Sequence, residues 1–349
     1  MTDLGGVLDP VRVGRILASF ASATDRLRVA VVDASGFQIA ASVESAPEAT
    51  RATDDALVRD IHCAGGIVGR VVANGTAIGD PTVVSALDAL AVGLGELAEA
   101  DYRSLASELA QGRLAQRSFV SLRAPAVPGY DLASHYEAAR EIGGDFFELF
   151  QLQRRRGGVG VVIADVTGKG IGAGMLMAFA RPVIHAALEA APGPADALER
   201  TNRILVEEIR SGLFITVIAG VLNVATGRLR MANAGHESPL IVPGDGGPIR
   251  AIDGGGVLVG AFRSLGAPEL ELRLRPGDAL VLYTDGVTDA MGPTGERFGD
   301  DRLLTTVEAA RFGSAHDIVA ALRDAVSDFR GAVPPADDVT IVVIGRQRR

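Results

Sequence analysis

Val161-Val162-Ile163-Ala164-Asp165-Val166-Thr167-Gly168-Lys169-Gly170 is a run of strand-forming apolar residues that ends in an acid and a glycine-rich turn. Valine and isoleucine fit a pleated surface, whereas aspartate is depleted in strands and costly to bury alone. An acid flush against such a run needs a physical reason. About twenty residues upstream, Gly143-Gly144-Asp145-Phe146-Phe147-Glu148 turns the backbone on two small residues and presents a second acid anchored by hydrophobic neighbours. Tyr283-Thr284-Asp285-Gly286 and Asp337-Asp338-Val339-Thr340 repeat the theme further on. Each acid alone reads as a turn former or helix cap before it reads as a ligand. Clustered, they would repel and raise one another's pKa unless a cation neutralised them. Carboxylates, carbonyls and water suit Mg²⁺ or Mn²⁺, while zinc prefers Cys and His.

Around these motifs, apolar strands alternate with glycine-rich turns. Strands are expected at 159–164, 214–223, 228–232, 239–242, 279–283 and 339–344, with an Ala225-Thr226-Gly227 hairpin between the second and third. Helices are expected at 173–190, 194–210, 300–311 and 315–329, the first kinked or divided at Pro182. Short connections between neighbouring strands imply antiparallel sheets with helices in blocks, an α+β fold.

The N-terminal part reads differently. A helix is expected over 11–23, two strands around Asp33-Ala34-Ser35-Gly36, and a strand pair over 65–74 closed by Asn74-Gly75. From Pro81 to about Leu122 the pattern is helical, with Leu87, Leu90, Leu94 and Leu97 at coiled-coil spacing and Leu105 and Leu109 out of that phase. Pro125 and Pro128 mark its end. One reading is an amphipathic helix packed on its own domain; the one we favour is a dimer seam linking a sensor to an effector. The expected division is a small α+β domain at 1–80, a helical linker at 81–124 and a larger domain at 125–349.

Composition narrows the function. The 349 residues carry a net charge of −9, against a nucleic-acid-binding surface, and the single Cys63 excludes an internal disulfide framework. No apolar run reads as a membrane span and no leader stands out at the N-terminus, so a cytoplasmic protein is expected. Lys169 is the sole lysine in the chain.

Three lookalikes fail on the letters. Thr167-Gly168-Lys169-Gly170 has Ile163 where a P-loop needs glycine and Gly170 where it needs Ser or Thr. Gly143-Gly144-Asp145-Phe146-Phe147 lacks the glutamate of the diguanylate cyclase signature, and no Gly-x-Ser-x-Gly elbow marks a serine hydrolase.

The set of motifs does match one family. Residues 139–147 (Ala-Arg-Glu-Ile-Gly-Gly-Asp-Phe-Phe), 164–170, Ala232-Asn233-Ala234-Gly235-His236, 283–290 (Tyr-Thr-Asp-Gly-Val-Thr-Asp-Ala) and 337–340 occur in family order. From about Gln116 onward the chain resembles the SpoIIE/RsbU-like branch of the metal-dependent PPM serine/threonine phosphatases. The N-terminal part resembles GAF-type sensor modules more faintly, through Ile-Val-Gly-Arg-Val-Val followed by a long helix.

The resemblance implies two antiparallel sheets packed face to face, helices outside, and two Mn²⁺ or Mg²⁺ ions at one end. Asp145 and Asp165 would hold both ions through a shared water, helped by the carbonyl of Val166, with Asp285 and Asp337 completing the shell of the second metal. Asp338 stands where eukaryotic members carry Asn, behind the ligands or among them. Arg140, Thr167, Gly168 and Lys169 are the candidates for contact with substrate phosphate. Thr167 replaces a His of the eukaryotic branch, so that acid is missing or is a water; His236 reads as a packing histidine or a catalytic one. The function implied is dephosphorylation of a STAS-type anti-sigma-factor antagonist by a homodimer joined through its linker. Two alternatives stay open: a catalytically weak phosphatase-like binding module, and a phosphatase of small phosphoesters.

Overall fold

The computed structural model describes residues 8–21, 27–35, 38–41, 56–64, 66–75, 78–119, 124–155, 157–209 and 212–348. Five expectations reach beyond them: the helix end at 22–23, Gly36 of the Asp33–Gly36 turn, Gly65 at the start of the expected strand pair, the helix end toward Leu122, and Arg210. By its internal contacts the chain divides into Met1–Ala110 and Gln111–Arg349.

The first unit contains α1 (Pro10–Ala21), β1 (Leu27–Asp33), β2 (Gln38–Ala41), β3 (Leu57–Cys63), β4 (Gly66–Gly75) and the start of α2 (Pro81–Phe119). The strands form one antiparallel sheet in the order β2-β1-β4-β3. The expected strand pair over 65–74 is therefore one strand, and Asn74-Gly75 is no turn, since it pairs with Arg28 and Leu27. Its true hairpin partner, β3, carries Arg59, Asp60 and His62, which hide it from a search for apolar runs. Ala64, at φ 50, turns the chain between the two. Leu87, Leu90 and Leu94 are buried with Val13, Leu17, Val31, Ile61 and Val71 in the core of this unit. The heptad-like stripe of α2 is thus its inner face against the sheet, not a free dimer seam; a sheet with one apolar face needs such a cover.

The second unit is built from two five-stranded antiparallel sheets. In chain order its elements are β5 (Tyr130–Glu137), β6 (Phe146–Gln151), β7 (Gly158–Val166), α3 (Ile171–Ala190), α4 (Pro194–Glu208), β8 (Ile215–Asn223), β9 (Arg228–Ala234), β10 (Leu240–Val242), β11 (Arg250–Ala251), β12 (Glu269–Arg273), β13 (Ala279–Tyr283), α5 (Asp285–Thr288), α6 (Gly299–Ala310), α7 (Ala315–Arg330) and β14 (Val339–Arg346). The sheets run β11-β10-β13-β14-β5 and β12-β9-β8-β7-β6.

Strand alternation sorts the core into layers. Leu280, Leu282, Val342 and Ile344 face the other sheet, packing with Val161, Ile163 and Ile218. Their neighbours Val281, Tyr283, Ile341 and Val343 point the opposite way, onto Leu303, Val307, Ile318 and Leu322 of α6 and α7. Met177, Ile184, Leu198 and Leu205 of α3 and α4 cover the outer face of the second sheet. The result is the expected face-to-face pair of sheets with helices outside.

α3 runs from Ile171 to Ala190 with Pro182 inside it, so the proline does not divide the helix. Among the described residues, α3 also passes a length and composition test for a membrane span, which the sequence reading did not anticipate. A buried stripe including Ala173, Met177, Ala180, Ile184 and Leu188 packs it into the unit, and Arg181 donates to Glu148 of β6 at 2.7 Å.

Candidate functional site

Antiparallel pairing delivers the acids to one end of the sheets. The ladder partners Phe146 and Ala164 set Asp145, just before β6, beside Asp165 near the end of β7. On the other sheet Tyr283 pairs with Ile341, and the Thr284 N–H donates to the Thr340 carbonyl at 3.1 Å. That brings Asp285, the first residue of α5, next to the 337–338 segment that enters β14. A side chain at Gly286 would overlap the Asp338 carbonyl.

Asp145 is 2% exposed and links the two sheets. Its Oδ2 accepts from Thr284 Oγ1 at 2.8 Å and from Thr340 Oγ1 at 2.6 Å. Asp165 is its charged neighbour across the β6–β7 ladder. Burial first, then the charges of Asp165 and Asp338, push the Asp145 carboxyl well above the usual range. Burial also raises Asp165 to about 7, with Asp285 and Asp337 adding to the effect. Asp285 is raised by burial and by Asp337. Such a set of shifts is the signature of acids held together ahead of a cation.

Asp338 has a different environment. Its Oδ1 accepts from the Ala139 N–H at 2.7 Å, and its Oδ2 from the N–H groups of Gly144 at 2.7 Å and Asp145 at 3.2 Å. The carboxylate therefore grips the turn that carries Asp145. Glycine is needed at both preceding positions. A Cβ on Gly143 would overlap the Asp338 carboxylate and the Tyr136 hydroxyl, and one on Gly144 would lie 2.9 Å from the Val166 carbonyl oxygen. That closeness sets the Val166 carbonyl against the residue preceding Asp145.

Asp337 accepts from the Asp338 N–H at 3.0 Å and pairs with Lys169 Nζ at 2.8 Å. Lys169 also donates to the Ala336 carbonyl. The turn bearing it uses positive φ at Gly168 (89°) and Gly170 (78°), which only glycine adopts without strain. Thr167 is committed elsewhere: its hydroxyl donates to the Phe214 carbonyl and accepts from the Phe214 N–H, both at 3.0 Å. Arg140 is exposed on the turn before Asp145. His236 is buried, with Nδ1 2.7 Å from Thr216 Oγ1, and burial lowers its pKa to about 4. Asn233 brackets it, accepting from its N–H and donating to its carbonyl, so it closes the turn after β9 as a neutral ring.

The donors fit a hard divalent cation. Asp145, Asp165, Asp285, Asp337 and the Val166 carbonyl supply only oxygen, and three of the carboxyls are held at raised pKa by burial and mutual charge. Among the described residues no three acids converge closely enough on one point to form a ready ligand set. Thr284 and Thr340 stand inside the sequence motifs, but sequence alone assigns them no role. The only signal was a hydroxyl on a buried strand beside an acid. Gln116, buried on α2 against the Asp145 turn, had none.

Comparison with known proteins accounts for the architecture. Residues 155–347 match the family model of Stage II sporulation protein E (SpoIIE). The protein IcfG of Synechocystis is 30% identical over 267 residues, covering 68% of this chain and 41% of IcfG. Phosphoserine phosphatase RsbU of Bacillus subtilis is 23% identical, covering 70% of this chain and 72% of RsbU. The SiaA-PP2C domain of Pseudomonas aeruginosa superposes with a TM-score of 0.62 at 21% identity, over 70% of this chain and 98% of that domain. The chain thus spans well under half of IcfG, and the likeness to SiaA speaks to fold. A match over more than half of the chain, taking in Asp165, Asp285, Asp337 and Asp338, makes this protein a member of the SpoIIE family.

Proposed function

We propose that the chain is a serine/threonine protein phosphatase that uses two divalent cations, Mn²⁺ or Mg²⁺. The observation that carries this reading is the buried carboxyl pair Asp145–Asp165, raised in pKa and flanked by Asp285 and Asp337. Asp145, Asp165 and the Val166 carbonyl would hold both ions, with Asp285 and Asp337 on the second. Bound there, the ions would lower the pKa of a water and neutralise charge on a phosphoryl group in line with it. Asp145 is kept in orientation by Thr284 and Thr340, and its turn by Asp338. That grip supports a holding role for Asp338 behind the ligands, rather than a place among them. Lys169 and Arg140 supply positive charge for substrate phosphate, and the Gly168 N–H a donor. Thr167, bonded to Phe214, shapes the turn instead.

The substrate we infer is a phosphorylated STAS-type anti-sigma-factor antagonist in the cytoplasm, consistent with the likeness to phosphoserine phosphatase RsbU. A homodimer remains part of the proposal, now on the later turns of α2, where Leu105 and Leu114 are exposed. Mn²⁺-dependent phosphate release from a phosphoserine STAS protein tests the activity. Release by wild type and none by a folded Asp165→Asn variant is the expected result. No release by wild type, with Mn²⁺ still bound, would favour a phosphatase-like binding module instead. Faster turnover of an aryl phosphate than of the phosphoprotein at equal concentration would point to small phosphoesters.

A further inference from the structure

The last turns of α2 hold one side chain that does not belong to an exposed helix end. Arg113 and Leu114 are exposed, yet Gln116 is buried. Its carboxamide makes a two-bond pair with the backbone of Gly143: Nε2 donates to the Gly143 carbonyl at 2.6 Å, and the Gly143 N–H donates to Oε1 at 3.1 Å. Only an amide offers a donor and an acceptor side by side on one flexible chain. Asp338 already takes the N–H groups of Ala139, Gly144 and Asp145. Gln116 takes both backbone groups of the residue between, so the Asp145 turn is gripped from two sides.

The packing around this pair is close. Ile142 lies between Gly112 of α2, where a Cβ would be 3.0 Å from its Cδ1, and Gly174 of α3, where a Cβ would overlap its Cγ2. The same Cβ on Gly174 would be 3.4 Å from both Gln116 Nε2 and the Gly143 carbonyl oxygen. Glycine at these two positions lets both helices close on the turn and seal the amide pair from water.

We infer that Gln116 is a positioning residue for the metal centre: through Gly143 it sets the place of Asp145 while touching neither ion nor substrate. The inference rests on the two-cation reading of the acids. Partners behind a ligand commonly change metal affinity ten- to a hundredfold when removed.

The test uses the full chain with Gln116→Met, similar in length but without the bonds, and Gln116→Glu, which keeps only the acceptor. Gln111→Ala, at an exposed position of the same helix, is the control. Two readouts are taken: amide hydrogen exchange at residues 143–145 in chelator, and Mn²⁺ affinity by calorimetry. Gln116→Met is expected to speed exchange at Gly143 and to weaken Mn²⁺ binding at least tenfold, with Gln116→Glu between it and wild type and Gln111→Ala unchanged. Mn²⁺ affinity within twofold of wild type in Gln116→Met, or in Gln116→Glu should the Met variant not fold, would overturn the role. Unchanged exchange at Gly143 would do the same. A wild type that binds no Mn²⁺ would instead sink the metal reading beneath it, while the exchange result would still report on the grip.

Discussion

Replacing Asp338 by alanine separates a ligand from a holder. In the folded protein its carboxylate, 7% exposed, is the acceptor for three backbone N–H groups, those of Ala139, Gly144 and Asp145. An orphaned buried donor costs about 1–3 kcal/mol, and two of the three share one oxygen, so the total for Asp338→Ala is about 3–6 kcal/mol. Asparagine keeps one oxygen and turns an NH₂ toward the donors that met the other, so Asp338→Asn falls near the low end, about 1–3 kcal/mol. The assay is urea denaturation followed by circular dichroism in the presence of chelator, with Mn²⁺ calorimetry alongside. A holder loses stability without metal in both variants, and metal affinity falls because Asp145 is misplaced. The reasoning is refuted if Asp338→Ala loses less than about 1 kcal/mol in chelator while Mn²⁺ binding is abolished. That outcome would make Asp338 a direct ligand.

Further outcomes follow from the same geometry. The Asp165 carboxyl is raised to about 7 from 3.8, so the metal-free native state keeps a proton that the unfolded chain has lost, and stability falls as pH rises through that window. Asp165→Asn should therefore stabilise the metal-free protein at pH 8 by up to about 4 kcal/mol, with the gain gone near pH 4, as read by chemical denaturation; a pH-independent difference would contradict this. Thr340→Val removes a donor to Asp145, so the carboxyl ionises less readily and the pH midpoint for Mn²⁺ binding should move upward, which calorimetry across pH 5–8 would reveal. Lys169→Met removes the cation that competes for Asp337, and Mn²⁺ affinity at low salt should rise severalfold, an effect that fades at high salt because the pair is over one-third exposed. If the dimer forms on the outer turns of α2, Leu105→Asp with Leu114→Asp should halve the mass seen by light scattering, while an already monomeric wild type would remove the proposal.

What could be read from the chain alone tracks how deeply each element is buried. The expected strands at 159–164, 214–223, 228–232, 239–242, 279–283 and 339–344 each match a strand of the second unit, to within one residue at 214 and 239, and all six have a strand on both flanks. The four strands not anticipated, β5, β6, β11 and β12, are the edges of the two sheets. An edge strand has one solvent-facing side and tolerates polar residues, as in Tyr130–Glu137 and Glu269–Arg273, so apolar runs do not mark it. β3 escapes notice for the same reason, and β4, interrupted by Gly69 and Arg70, reads as two strands in its place. The leucine stripe of α2 was ambiguous in principle: a helix covering a sheet and a helix pairing with its copy need the same spacing, and only the tertiary structure assigns Leu87, Leu90 and Leu94 to the sheet.

The sequence by itself determined the α+β class, the order of the motifs and the identity of the acids, because an aspartate ending an apolar strand is a strong local anomaly and its family pattern is specific. Tertiary structure decided what each acid touches. Asp145 and Asp338 lie nearly two hundred residues apart, and nothing local tells that one is buried at raised pKa between two threonines while the other grips its turn. The roles of Thr284, Thr340 and Gln116 arise in the same way, from hydrogen bonds that exist only once distant strands and a helix end are brought to one place. Chemistry at this site is written in residue types; its geometry is set by long-range packing.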